Sequence, residues 1–239
     1  METRVEAIWV YLSQTPLLWL TMTLLVYQGA YWLYRRTNMM PIFNPVLLAV
    51  IALVGILTLT ETSYTTYFEG AQFVHFLLGP ATVALAVPLY LYVGKLKEMA
   101  WAIGIGLVVG SVVAIVSAVL IGRFLGISDV ILLSLAPKSV TTPIAMGISE
   151  KIGGLPSLTA VLVIMTGILG AVVGRGFLQW IGIRDRSVLG FAIGLASHGI
   201  GTARAFQVDD EAGAFSGLAM GLNAVVTALL VPLIIGWLV

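Results

Sequence analysis

Two short stretches gather the groups with which this chain could bind or move a ligand. The first is Leu135-Ala136-Pro137-Lys138-Ser139-Val140-Thr141-Thr142-Pro143-Ile144-Ala145, which sets a lysine and hydroxyl groups between two prolines. The second is Gly194-Leu195-Ala196-Ser197-His198-Gly199-Ile200-Gly201-Thr202-Ala203-Arg204. Gly199 and Gly201 permit backbone shapes closed to other residues, so the chain there can unwind and aim amide N–H groups. Lys138, Ser139, Thr141, Thr142, Ser197, His198, Gly199, Gly201, Thr202 and Arg204 therefore form a donor-rich, net positive set. Its chemical complement is a small hydroxylated or keto carboxylate. A guanidinium fork matches carboxylate geometry, and an ammonium supplies a less directional charge. Half-helix N-termini at such breaks would add positive dipole toward the same anion.

Each residue also has a plainer reading. Lys138 and Arg204 could snorkel to headgroups, single hydroxyls and His198 could bond neighbouring helices, and Asn223 would do the same. The case for a site rests on clustering. Enzyme readings fare worse. Ser197 and His198 are adjacent, so on a helix their side chains diverge, whereas a nucleophile and its base must meet. The aspartates fall at segment ends, there is no cysteine, and two histidines with few membrane carboxylates suggest no metal site. We expect no catalysis, no metal and no cofactor.

The surrounding elements are those of a membrane protein. Of 239 residues, 59% are hydrophobic and only 10% charged, with a mean hydropathy of +1.05; soluble domains carry roughly a quarter charged residues. A net charge of +1 argues against nucleic-acid binding, which needs a clustered basic face. The expected fold is an all-α polytopic bundle of about seven to eight hydrophobic segments, some broken or re-entrant. It would be one membrane domain, with an interfacial N-terminal helix over residues 1–15 and the bundle over 16–239. Spans are expected at Pro16–Tyr34, Pro45–Leu59, Phe73–Val93 (with breaks), Trp101–Ile121, Pro156–Val173 and Gly213–Trp237, and the odd segments Val130–Ile148 and Ser187–Phe206 either cross or re-enter. Pro80, Pro88, Pro137 and Pro143 mark helix breaks. Trp19, Tyr31, Trp32 and Tyr34 suit interfacial belts. Asn44-Pro45 reads as a capped helix start, and Glu150–Gly154 and Asp209-Asp210-Glu211 as connections.

Topology is open at this level. If every segment crosses, Arg184-Asp185-Arg186 lies opposite Arg35-Arg36; one re-entrant segment puts them on one side, as the positive-inside rule favours. Leu78-Gly79-Pro80-Ala81-Thr82-Val83 echoes Leu135–Val140, an internal repeat of the kind that points to transporter sites. Glycines four apart at Gly106/Gly110, Gly170/Gly174 and Gly213/Gly217/Gly221 allow close helix packing and suggest a homodimer.

At Ala136–Ala145 and Ala196–Arg204 the chain resembles the LrgB/CidB family, and the likeness extends over most of the sequence. Bacterial members are described as antiholin- or holin-like partners of LrgA/CidA proteins that modulate murein hydrolases and lysis. A plant relative is the plastidal glycolate/glycerate translocator, and bacterial members are linked to pyruvate uptake. The resemblance implies a transporter of small monocarboxylates (glycolate, glycerate or pyruvate class) in a bacterial inner membrane. The alternative it implies is an antiholin-like lysis regulator with an LrgA/CidA-like partner.

Overall fold

The computed structural model describes residues 15–238, which contain helices and connections but no strand. The interfacial helix expected over residues 1–15 lies outside the described residues except for Thr15. The chain divides into two compact units, Met1–Ala84 and Leu85–Val239.

In the first unit α1 (Pro16–Arg36) packs against α2 (Pro45–Leu59) and α3 (Tyr64–Phe76), and α4 (Leu78–Ala84) follows. Asn44 caps α2 as its sequence implies: its Oδ1 accepts from the N–H groups of Val46 at 2.9 Å and Leu47 at 3.2 Å. A Cβ on Gly70 would overlap the main chain of Pro16 and Leu20, so this glycine lets α3 touch α1 backbone to backbone. Trp19 fills that contact edge-on to Tyr67. Trp19 and Tyr34 are thus buried core residues, and the belt role expected for them is corrected. Trp32 is exposed, with the Arg36 guanidinium 4.7 Å from its ring centre. The expected span at Phe73–Val93 falls largely within Tyr64–Leu91, a 28-residue helical stretch long and apolar enough to cross a bilayer. It is interrupted by single turns at Leu77 and Leu85 that keep helical backbone angles, three residues before Pro80 and Pro88, where each proline ring crowds the preceding turn.

The second unit begins with two short helices, α5 (Ala86–Leu91) and α6 (Val93–Glu98). Three helices long and apolar enough to cross a bilayer follow: α7 (Ala100–Phe124), α10 (Pro156–Trp180) and α12 (Asp210–Leu238). Between them lie two folded-back segments. The first is α8 (Asp129–Leu135), a non-helical tip over 136–141, and α9 (Thr142–Ile152). Its return end lies against its entry half, because a Cβ on Gly154 would overlap the backbone at Leu133 and Ser134. The Leu155 N–H donates to Ser134 Oγ at 2.8 Å, and Thr159 Oγ1 donates to the Ser134 carbonyl at 2.9 Å.

The second is α11 (Arg186–Val208), which is not one rod. His198, at φ 43° and ψ −136°, reverses the helix between halves 186–197 and 199–208. Arg186 at the entry pairs with Asp209 just past the exit at 2.9 Å. A straight 23-residue helix would hold its ends ~34 Å apart.

Contacts at the helix ends order the faces. Lys95 reaches Glu211 at 2.5 Å and Asp185 at 3.8 Å, and Ser187 meets Met99 Sδ at 3.6 Å. At the opposite end Arg123 donates to the Leu238 carbonyl. The first hairpin therefore enters and leaves at the Arg123 end, and the second at the Lys95 end. Val130–Ile148 and Ser187–Phe206, for which the sequence leaves crossing and re-entry open, both fold back and leave on the side they enter. Each has its own apolar surroundings: Ile115, Val119, Val163 and Val231 around Ala136 and Val140, and Leu107 and Ala219 around Leu195.

Other expectations shift locally. Glu150, Lys151 and Ile152 finish α9, which stops at Gly153 in the left-handed region (φ 89°). Asp210 and Glu211 form the first turn of α12, and only Asp209 is a connection, capping that helix through the N–H groups of Glu211 and Ala212.

Candidate functional site

The two tips meet on Asn223, a polar residue near the middle of the 29-residue α12. Its Nδ2 donates to the Ser139 carbonyl at 3.2 Å and to the Leu195 carbonyl at 3.0 Å. Its Oδ1 accepts from Ser111 Oγ at 2.7 Å and Thr227 Oγ1 at 3.0 Å. All four hydrogen-bonding positions of a buried amide are thereby used. Helix breaks strand carbonyls that no turn satisfies, and in apolar surroundings such groups need partners from protein or water. Asn223 supplies one donor to each broken segment.

Lys138 lies in the first tip, four residues before Thr142 opens α9. Its ammonium has one hydrogen-bond partner among the described residues, Ser139 Oγ at 3.3 Å, and no carboxylate pairs with it. Thr141 is the N-cap of α9 without a side-chain cap bond, and Thr142 opens the helix. Neither hydroxyl is bonded among the described residues. The return halves of both hairpins, from Thr142 and from Gly199, start inside the unit, so two helix N-termini with their spare N–H groups lie at the tips.

The second tip is held by packing. His198 Nε2 donates to the Val163 carbonyl at 2.9 Å; the carbonyl can only accept, which fixes the proton on Nε2. A Cβ on Gly167 would come within 2.9 Å of the His198 ring, and one on Gly170 would fall 1.6 Å from Ser197 Oγ. Thr202 Oγ1 donates to the His198 carbonyl at 2.8 Å and lies 2.9 Å from Ser216 Oγ. The break expected at Gly199 and Gly201 falls instead on His198, in a positive-φ conformation rare outside glycine. Gly201 is required for close approach, since a Cβ there would press on Ser197 and Ile193 in the facing half.

Nine of the ten expected residues thus sit at or beside the two tips. Arg204 stands apart: it is buried and lines a cavity of about 180 Å³ with Arg175, Arg184 and Arg186.

Residues 23–237 match the profile of the LrgB-like family. The chain belongs to that family. Among its relatives, the Bacillus subtilis (strain 168) proteins named YwbG and YxaC, both described as uncharacterized, are 39% and 37% identical to it. The alignments cover 92% and 91% of this chain and 97% and 94% of those relatives. The Bacillus mycoides (strain KBAB4) protein named "Antiholin-like protein LrgB" is 29% identical over 92% of this chain and 96% of its own. No solved structure matches the chain.

Three features of this LrgB-like chain escaped sequence reasoning. Asn223 read as ordinary helix–helix glue, because nothing in one sequence reveals that it serves a carbonyl in each broken segment. Gly190 and Gly194 were not singled out, yet a Cβ on either would fall 2.1 Å from a main-chain oxygen of α12, at Ala212 and Ser216. The clearest internal match lies sixty positions apart: Leu135-Ala136, Lys138, Val140, Thr142 and Ala145 align with Leu195-Ala196, His198, Ile200, Thr202 and Ala205. That match pairs the two tips. Leu78–Val83, the expected echo, spans the start of helix α4, whereas Leu135–Val140 forms the end of α8 and the tip.

The glycine ridges are also spent within the chain. Gly106 and Gly110 receive Phe191 and Leu195, Gly170 and Gly174 receive Ser197 and Ile193, and Gly213 and Gly217 receive Phe206 and Thr202; only Gly221 of this group is open. Their spacing therefore carries no argument for self-association.

Proposed function

We propose that this LrgB-like membrane protein is a secondary transporter of small monocarboxylates of the glycolate, glycerate or pyruvate class, working by alternating access at the two hairpin tips. The observation that carries the reading is Lys138: a half-buried cation with no carboxylate partner among the described residues, in a tip that leads into the N-terminus of α9. A charge at membrane depth marks a substrate path by default, and a carboxylate would complete its coordination. Thr141 and Thr142 offer uncommitted hydroxyls for the substrate's second oxygen. Hairpins from opposite faces suit alternation, since each can close one side over a shared centre. The excess of Lys and Arg at the Lys95–Arg186 end puts that face in the cytoplasm by the positive-inside rule, and we assign the protein to a bacterial inner membrane.

The decisive measurement is counterflow in proteoliposomes. Saturable exchange of labelled glycolate, inhibited by unlabelled glycerate or pyruvate and absent in Lys138→Gln, supports the carrier. Unsaturable leakage of unrelated solutes refutes it and supports a second reading, a lysis regulator acting with an LrgA/CidA-type partner. The antiholin-like name of the 29% identical relative favours that reading.

A further inference from the structure

The base of the second hairpin carries chemistry that the tips do not use. Arg175 on α10, Arg184 in the following connection, Arg186 at the entry of α11 and Arg204 near its exit line one cavity of about 180 Å³ with Gln179 and Asp209. Among the described residues the lining carries four arginines and one carboxylate. Asp209 is already committed, with Oδ2 on Arg186 at 2.9 Å and Oδ1 on the N–H groups of Glu211 and Ala212. Arg175 and Arg184 form no ion pair among the described residues. Like charges gathered around one space repel one another, and an anion between them would offset that repulsion.

We propose that this cavity binds a phosphate oxyanion, supplied by an anionic lipid headgroup or by free phosphate. Guanidinium forks fit phosphate bidentately, which favours Arg over Lys at such a place. The volume corresponds to about six water molecules at ~30 Å³ each, enough for one tetrahedral oxyanion. The cavity lies at the Lys95 end of the spans, and basic pockets between helices on the cytoplasmic side are known to take phospholipid headgroups. A bound phosphate would join α10, the entry half and the exit half of the hairpin, and so hold its base while the tip moves.

Binding is independent of the transport reading and is tested without flux. The protein is placed in nanodiscs of phosphatidylcholine alone, of phosphatidylcholine with phosphatidylglycerol, and of phosphatidylcholine with inorganic phosphate added, and thermal stability is read in each. Stabilisation by phosphatidylglycerol identifies the headgroup as the source, and stabilisation by inorganic phosphate identifies the free ion; either supports the site. Arg204→Gln should weaken the effect about tenfold or more, the loss of one charged hydrogen-bonding group. Since Arg204 is buried and its replacement could unfold the hairpin, the exposed pair Arg175→Gln/Arg184→Gln is measured beside it and should lose the same response. Stabilisation by neither source, an unchanged response in the double variant, or stabilisation by glycolate alone overturns the proposal.

Discussion

Replacing Asn223 by leucine removes the polar groups on which both tips rest while keeping the same branched heavy-atom skeleton. Ser111 Oγ has an alternative acceptor in the Leu107 carbonyl at 2.6 Å, and Thr227 can turn to the carbonyl four residues before it. The Ser139 carbonyl, in the non-helical tip, accepts from no main-chain N–H among the described residues. A buried carbonyl left unpaired costs about 1–3 kcal/mol, so the substitution should destabilise the second unit by roughly that amount. Hydrogen bonds between membrane helices average nearer 0.6 kcal/mol, which places the expected value toward the lower end. Asn223→Asp separates donors from shape: it keeps the acceptor but sets a carboxylate against two carbonyls, and should be at least as damaging. Unfolding in mixed detergent micelles gives the free energy, and hydrogen exchange shows where it is lost. Faster exchange confined to the tips, around 136–141 and 195–202, is expected. Wild-type stability with unchanged protection at the tips in Asn223→Leu would refute the bridging role.

Lys138→Gln should abolish counterflow with at most a small change in thermal stability, because the lysine has only one weak partner to lose; full uptake by this variant would remove it from the site. Gly170→Ala and Gly194→Ala place a Cβ 1.6 Å from Ser197 Oγ and 2.1 Å from the Ser216 carbonyl oxygen. Each should cost at least the ~1–3 kcal/mol typical of overpacking, whereas Gly221→Ala, which meets nothing, should be neutral or slightly stabilising by the same unfolding assay. At the Lys95 end the Ser187 hydroxyl and Val188 N–H, with Lys95 behind them, hold the Asp185 carboxyl below its usual range. A lowered carboxylate contributes stability above its ordinary range and loses it as pH falls through the folded value. Asp185→Asn should therefore be less stable than wild type at neutral pH, with the gap closing in acid.

Class, break-containing segments and site residue types were legible because lipid punishes polarity. Lys138 between Pro137 and Pro143, and His198 between Ser197 and Gly199, stand out from apolar neighbours without any coordinates. Direction was not legible. Pro137 and Pro143 say that the chain cannot continue as a plain helix, but re-entry depends on Ser134 meeting Leu155 and Thr159, twenty-one and twenty-five residues later. The belt assignment of Trp19 failed for a related reason. An aromatic near a span end suits headgroups and an intramolecular slot equally, and Gly70 on another helix made the slot. Arg204 lies within one motif with His198, yet a helical half carries it to the base of the hairpin while His198 stays at the tip.

The sixty-residue match gives these pieces a common cause. In chain order a span and a hairpin (α7 with α8 and α9) are followed by a second span and hairpin (α10 with α11), and α10 runs opposite to α7. A repeated unit whose second copy starts from the other face must send its hairpin in from the other face too. The same pattern then puts Lys138 and His198 at equivalent places on opposite tips. Equivalence of position does not extend to chemistry. Lys138 has only Ser139 Oγ to bond, while His198 is committed through Nε2 to Val163 and seated against Gly167. One tip thus presents an available cation and the other a fixed wall. If that asymmetry underlies function, exchanging the roles should be disastrous in one direction only. Lys138→His should retain weak, acid-dependent uptake, because a protonated imidazole still offers a cation there. His198→Lys should lose both uptake and stability, because an ammonium in the imidazole's place would be buried on a single carbonyl. Equal activity in the two variants would mean that the tips are interchangeable and that Lys138 is not the anion's anchor.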